Sequence, residues 1–236
     1  MQRIIVAVDG FSSCGKSTIA KQLAQHANYT YIDTGAMYRA VGLWARRHGY
    51  IVNGIVDEDS VKENIKDLKL HFERLADGSQ HIFIDKEDVE HIIRSLSASN
   101  DASLVSTLPF VRQRMVAMQQ QMGADKGIVM DGRDIGTVVF PHAELKLFVT
   151  ASPEVRAKRR YQELISKGEQ TNYQNVLQAI EERDYRDTHR KESPLVQAPD
   201  AILIDNSDMT REQQNMKVLE LFNQALLLTE QENRQE

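Results

Sequence analysis

The chain has a single cysteine, Cys14, among its 236 residues. An intrachain disulfide framework is therefore excluded, and a reducing, cytoplasmic setting is the simple expectation. Long apolar runs are also missing. Ile4 to Val8 and Ala225 to Leu228 are among the longest, far short of the roughly 20 residues a membrane-spanning helix needs. The first of these runs leads directly into a polar loop rather than a small-residue cleavage site, so it does not read as a secretory leader. There is no excess of positive charge either, since 29 Lys and Arg stand against 34 Asp and Glu for a formal net charge of −5. That balance argues against an extended nucleic-acid surface, which requires clustered basic residues. It remains compatible with a small anion held by local arginines. The seven histidines form no i, i+4 pair and none adjoins the cysteine. A transition-metal site is thus not expected, and any metal should be a substrate-borne Mg²⁺.

The most informative stretch that is present runs from Arg3 to Thr18. A β-branched apolar segment ends in Asp9-Gly10-Phe11-Ser12-Ser13-Cys14-Gly15-Lys16-Ser17-Thr18, which fits the phosphate-binding pattern G-x-x-x-x-G-K-[ST] at every fixed position. A helix is expected to follow from Lys16 to Ala27. In that context the backbone N–H groups of the loop, from Gly10 through Ser12, Ser13, Cys14 and Gly15 to Thr18, cradle phosphate oxygens, and the helix N-terminus adds partial positive charge. Lys16 would reach the terminal phosphates of ATP, and Ser17 would ligate Mg²⁺. The bland alternative is a Gly/Ser-rich turn that binds nothing.

Beyond the loop, strand and helix patterns alternate. Tyr29 to Asp33 reads as a strand, and Ala36 to Arg47 as a helix stopped by Gly49. Ser60-Val61-Lys62-Glu63 has the form of a capping box for a short helix reaching about Asp67. Lys69 to Arg74 and His81 to Asp85 alternate like the strands of a hairpin around Asp77-Gly78. Helical pattern returns from Ser103 to Met122. Gly127 to Asp131 and Leu145 to Thr150 read as buried strands. Ser152-Pro153-Glu154 starts a helix, and the charged stretch from Arg156 to Lys191 reads as two helices around Lys167-Gly168-Glu169, neither with a strong apolar stripe. A mobile flap and a solvated surface hairpin are the two readings of that pair. Ala201 to Asp205 is a last strand. Thr210 and Gln213 cap a terminal helix whose core face is Val218, Leu219, Leu221, Phe222, Ala225 and Leu226, with a frayed tail from Thr229 to Glu236. The alternation predicts an α/β fold with a parallel sheet and ligands at the carboxyl ends of its strands.

Several polar groups fall at those strand ends, among them Asp9, Asp33-Thr34 and Asp131. Asp131 reads equally well as a group that positions Mg²⁺ and as the cap of a tight turn, while Asp9 reads more readily as structural. Arg39, Arg94, Arg112, Arg133, Arg183, Arg186 and Arg190 stand near polar turns. Singly each is a surface charge, but beside a phosphate loop they point to a second anionic substrate, because a guanidinium fork meets phosphate in two bonds. Cys14 lacks a neighbouring His base or a resolving Cys and reads as a small loop residue.

In their order and spacing, "DTGAMYRA", "DGRDIGTVVFP", "ERDYRDTHR" and "SPLV" resemble the bacterial cytidylate kinases of the nucleoside monophosphate kinase family, from about Arg3 to the terminal helix. The resemblance implies a three-layer P-loop kinase core with a five-stranded parallel sheet, over residues 1–49, 95–155 and 187–236. It also implies a small antiparallel monophosphate-binding insert over 50–94 and a helical lid over 156–186. The implied activity is ATP-dependent phosphorylation of CMP and dCMP with Mg²⁺, by a monomer without nucleic-acid or membrane partners. By motif position Ser103, Arg112 and Asp134 look like the family's cytosine-reading residues. Arg39, Arg133 and Arg190 look like its ligands for the CMP phosphate, and Arg183 and Asp187 like its sugar contacts, with Thr34 in the same substrate set. Lys16, Arg133, Arg156 and Arg159 would be catalytic. Phe11-Ser12-Ser13-Cys14 departs from the proline and small residues of many relatives. Two rivals are a P-loop kinase for another metabolite and a nucleotide-dependent switch. No Asn-Lys-x-Asp guanine-reading motif follows the loop, which weakens the GTPase form of the latter.

Overall fold

The structure, a computed structural model, describes residues 2–76 and 79–234. The expected Asp77-Gly78 turn lies outside the described residues. The chain divides into two compact units, Met1–Ile32 with Met122–Glu236, and Asp33–Gln121.

The first unit opens with β1 (Ile5–Gly10), buried throughout except at its first residue, followed by α1 (Lys16–Ala27) and β2 (Thr30–Asp33). Helix α1 keeps its predicted bounds and ends at Asn28 in the left-handed conformation, φ 52°, a conformation that Asn tolerates and that closes a helix.

In the second unit α2 (Thr34–Arg47) starts two residues before its expected first residue. The Asp33 side chain caps it by accepting from the Ala36 N–H at 3.0 Å. A short hairpin of β3 (Ile51–Val52) and β4 (Ile55–Val56) follows, turning through Asn53 and Gly54 at φ 51° and 78°. Two consecutive positive φ values are what an Asn-Gly turn supplies. Helix α3 (Glu58–Asn64) is capped by Asp57, which accepts from the Ser60 N–H at 3.1 Å. The expected Ser60 cap is therefore corrected: Asp57 offers the better acceptor three residues earlier. A 3₁₀ turn, Ile65–Asp67, ends the segment. The hairpin of β5 (Leu70–Arg74) and β6 (Gln80–Ile84) is antiparallel as expected, and β7 (Glu87–Asp88) adds a third strand. The single helix expected over Ser103 to Met122 is in fact two, α4 (Leu96–Val105) and α5 (Pro109–Met122). The break follows from Pro109, which disfavours helical backbone at Leu108 and suits the first turn of a new helix. Helices α2 and α4 approach closely, since a Cβ on Gly42 would lie 2.7 Å from Asp101 Cβ.

The chain returns to the first unit with β8 (Ile128–Gly132) and β9 (Leu145–Thr150), then α6 (Pro153–Ser166), α7 (Tyr173–His189), β10 (Ile202–Asp205) and α8 (Arg211–Glu232). The five-stranded parallel sheet has the order β10-β9-β1-β8-β2. Its register pairs Asp9 with Gly132 and Gly10 with Val149, so the ends of β1, β8 and β9 lie side by side. One face packs Val6, Val8, Leu147 and Ile204 against Ile19 and Leu23 of α1 and Val218 and Phe222 of α8. Helix α8 carries both halves of the Thr210–Gln213 capping box, and Leu219, Leu221 and Leu226 pack partly buried beside its core residues. The frayed tail is corrected: the helix continues through Thr229, which is buried, to Glu232. Helices α6 and α7 do carry apolar stripes, and Ala157, Leu164, Val176 and Ile180 form a small core of their own. Among the described residues no helix is long and apolar enough to cross a membrane.

Candidate active site

The phosphate loop is set by backbone geometry at Gly10 and Gly15. Gly10 has φ 147°, and a Cβ there would fall 2.0 Å from the Val149 carbonyl oxygen of β9. Only glycine allows the loop to leave the sheet at that point. Gly15, at φ 90°, stands immediately before α1. The loop folds around the carbonyl of Phe11, which accepts from Lys16 Nζ and from Cys14 Sγ, each at 3.0 Å. Cys14 is fully buried in the core cluster beneath the sheet. Its thiol is thus shielded by packing, whatever the loop binds.

Lys16 is also buried, and its amine is pushed below the usual lysine range. Burial is the main cause, and the positive charges of Arg133 and Arg183 add to it, while Asp131 works against it. Three cations of the first unit therefore act on one another, a charge distribution that a polyphosphate would relieve.

Asp131, at the end of β8, accepts from Ser17 Oγ at 2.6 Å and from Tyr31 OH at 2.9 Å. Asp131 thus faces the hydroxyl of the loop. Asp9 caps a turn. Its two carboxylate oxygens accept from the Ile135 and Gly136 N–H groups at 2.8 and 2.7 Å, holding the start of a π-helical turn over Ile135–Val139. Burial pushes the Asp9 carboxyl up to about 6 despite those two hydrogen bonds. The Ser17 hydroxyl and Asp131 carboxylate form a hard oxygen donor set of the kind Mg²⁺ takes, together with water and phosphate oxygens.

The "DGRD" turn and the "ERDYRD" helix meet around Asp187. Arg133 Nε donates to Asp187 Oδ2 at 2.7 Å, and Arg183, one turn back on α7, lies 3.9 Å from the same oxygen. Arg190 Nη2 lies 3.8 Å from Asp134 Oδ1. Burial alone would raise the Asp187 carboxyl, but Arg133 and Arg183 outweigh it and hold the group below the usual range. Arg133, Asp134, Arg183, Asp187 and Arg190 are thus brought together within one unit.

Two arginines of α6 are also held. Arg156 is buried, donates to both Asp184 oxygens at 3.0 and 2.6 Å, and donates through Nε to the Ala151 carbonyl at 2.8 Å. Arg159 donates to the Asn206 side chain and backbone carbonyl, both at 2.9 Å.

In the second unit Asp33 does more than cap α2. Its Oδ2 accepts from Arg39 at 2.8 Å and from Arg94 at 2.9 Å. Burial would raise this carboxyl, yet the two guanidiniums hold it far below the usual range. Gly35 permits the approach, because a Cβ there would lie 3.0 Å from both Arg39 Nη1 and Asp33 Oδ1. The buried Arg39 Nε has no hydrogen-bond partner among the described residues, a donor suited to an incoming anion. Arg112, buried on α5, donates to the Ser106 carbonyl at 3.3 Å and sits over the Tyr38 ring at 5.7 Å. Ser106 Oγ in turn donates to the Ser103 carbonyl at 3.0 Å, so Ser103 and Arg112 are linked through one residue. Thr34 is buried in the first turn of α2.

Sequence reasoning passed over Asp184, Tyr31 and Asn206. Asp184 had a signal in the dense alternation of arginine and aspartate along α7. For Asn206 the only signal was its place just after a strand end.

A glycine-framed phosphate loop, a carboxylate on the adjacent strand and arginines near the strand ends define a P-loop nucleotide-binding protein. The family model described as cytidylate kinase matches residues 6–224. A cytidylate kinase of Parabacteroides distasonis is 52% identical over 227 residues, covering 96% of this chain and 99% of the relative. One of Flavobacterium psychrophilum is 50% identical over 224 residues, covering 94% and 99%. Among solved structures, a shikimate kinase from Bacteroides thetaiotaomicron aligns over 96% of this chain and 99% of its own, with 15% identity and a TM-score of 0.47. The chain belongs to the cytidylate kinase family.

Proposed function

We propose that the protein transfers the γ-phosphoryl group of ATP to the 5′-phosphate of CMP or dCMP, giving ADP and the corresponding diphosphate. The observation that carries this reading is the phosphate loop itself, with Lys16 Nζ on the Phe11 carbonyl at 3.0 Å and Ser17 Oγ on Asp131 at 2.6 Å and the charges of Arg133 and Arg183 acting on the lysine, in a member of the cytidylate kinase family. Phosphoryl transfer is served mainly by positioning and charge neutralisation, and those three cations offer both. Gly10 to Thr18 bind the donor phosphates. Ser17, with Asp131 behind it, holds Mg²⁺, which neutralises phosphate charge when bound. Lys16 moves from the Phe11 carbonyl to the donor's terminal phosphates.

On the acceptor side, Arg39, Arg133 and Arg190 take the monophosphate, Arg183 and Asp187 the sugar, and Ser103, Arg112 and Asp134 the cytosine, with Thr34 also a substrate residue. The acceptor is already anionic near neutral pH and attacks in line, so no general base and no covalent enzyme intermediate is required. Arg156 and Arg159 belong to a lid over 156–186 that excludes water from the transferred group, and 50–94 forms the monophosphate-binding insert. A monomer working in the reducing cytoplasm completes the reading, which light scattering and fractionation test.

ADP release measured with CMP, dCMP, UMP, AMP and GMP tests the acceptor assignment. CMP and dCMP should give the highest kcat/KM. Preference for a purine monophosphate would overturn it.

A further inference from the structure

Asn206 stands just beyond β10 and is only 1% exposed. Every polar atom of its carboxamide is engaged. Nδ2 donates to the Cys14 carbonyl at 2.7 Å and to Gln214 Oε1 of α8 at 2.5 Å, while Oδ1 accepts from Arg159 Nη1 at 2.9 Å. Its backbone is fixed as well, since the N–H donates to the Thr150 carbonyl and the carbonyl accepts from Arg159 Nη2, both at 2.9 Å. One planar group thus ties together the phosphate loop, the last helix and an arginine of α6. A carboxamide is the side chain that offers two donors and an acceptor in so small a volume. A carboxylate of the same shape has no donor, and a hydroxyl has one.

The bond to Cys14 has a geometric consequence. In a trans peptide the C=O and the following N–H point in opposite directions. Tethering the Cys14 carbonyl to Asn206 therefore aims the Gly15 N–H from the opposite edge of that peptide, away from Asn206. Gly15 has a left-handed backbone, φ 90°, and an added Cβ there would stand 3.6 Å from Asn206 Nδ2. The side chain consequently lies directly against the peptide that it orients.

We infer that Asn206 is a positioning residue for the donor nucleotide. By holding the Cys14 carbonyl it presents the Gly15 N–H to the donor's phosphates, and by holding Arg159 it keeps that guanidinium beside the same loop. It touches no phosphate itself. This inference rests on the assignment of Gly10 to Thr18 to the donor phosphates, and its test separates the two.

The test compares wild type with Asn206→Asp and Asn206→Ser in steady-state kinetics with ATP and CMP varied separately, alongside ADP titration by calorimetry and thermal melting of each ligand-free protein. Asn206→Asp removes both donors and keeps the acceptor for Arg159. It should raise the KM for ATP and the Kd for ADP by about tenfold, as expected for a lost buried hydrogen bond, with the KM for CMP unchanged at saturating ATP. Asn206→Ser keeps one donor and should recover part of that loss. Should Asn206→Asp fail to fold, the serine variant alone decides, with an intermediate rise in the KM for ATP expected. A lowered melting temperature with unchanged KM for ATP and Kd for ADP would assign Asn206 to scaffolding and overturn the inference. So would equal losses for ATP and CMP. Failure of wild type itself to bind ADP would instead overturn the assignment of the loop.

Discussion

The guanidinium of Arg156 lies over the ring of Phe11, 5.0 Å from its centroid. Phe11 also meets Phe148 of β9 edge-on at 6.0 Å. Phe11 is therefore an anchor between the sheet and the start of α6. Replacing it by alanine removes a cation–π contact worth about 0.5–2 kcal/mol and leaves Arg156 paired with Asp184. Phe11→Ala should melt a few degrees below wild type in calorimetry. An unchanged melting temperature would show that the ring contributes no net stability.

Lys16→Met should separate function from stability. The wild-type amine is buried beside Arg133 and Arg183, so a neutral side chain of similar length relieves both desolvation and repulsion. The variant should melt at or above the wild-type temperature. Its kcat should fall on the order of 10²-fold or more, the scale of losing a charge aimed at the transition state. Near wild-type turnover would contradict the proposed role of the lysine.

The pH dependence of stability should carry the signature of Asp9. Its carboxyl is raised from 3.8 to about 6 in the folded protein, so between those values the folded state binds more proton than the unfolded state. Its stabilising contribution is full below about pH 4 and is lost as the pH rises through 6. A roughly hundredfold gain in proton affinity on folding makes that contribution on the order of 3 kcal/mol. Asn at this position cannot titrate, though it also loses one of the two acceptors for the turn. The stability of Asp9→Asn relative to wild type should therefore rise between pH 4 and 7, measured by urea denaturation at each pH. A pH-independent difference would show that Asp9 does not titrate in that window.

Asp134→Ala tests base selection. Asp134 is buried beside Arg190, and a site built to hydrogen-bond a base loses discrimination when the polar partner is removed. The ratio of kcat/KM for CMP over UMP should drop by about tenfold. Equal losses for the two nucleotides would assign the residue to holding Arg190 instead.

The order of strands and helices was legible in the sequence because the core strands are short, largely apolar runs and most helices carry their own caps. Ser152, Thr210 and the apolar pattern of α8 are instances. The legible parts of the site were those in which spacing carries chemistry, namely the phosphate loop and the arginine-bearing "DGRD" and "ERDYRD" segments. What escaped depends on contacts distant in sequence. Asp9 caps a turn more than a hundred residues away, and Asn206 reaches Cys14 across 192 positions, so neither relation leaves a local pattern. The β3–β4 hairpin and the break at Pro109 are different. Asn53-Gly54 and Pro109 were signals in plain view, and the proline was outweighed by the helical periodicity from Ser103 to Met122.

Direct transfer from ATP to a nucleoside monophosphate, on which the proposed function stands, is best tested by quantifying ADP and CDP together by chromatography, with and without CMP. Direct transfer predicts one CDP for each ADP and almost no ADP without CMP. ADP formed at the same rate in the absence of CMP, or without matching CDP, would contradict it.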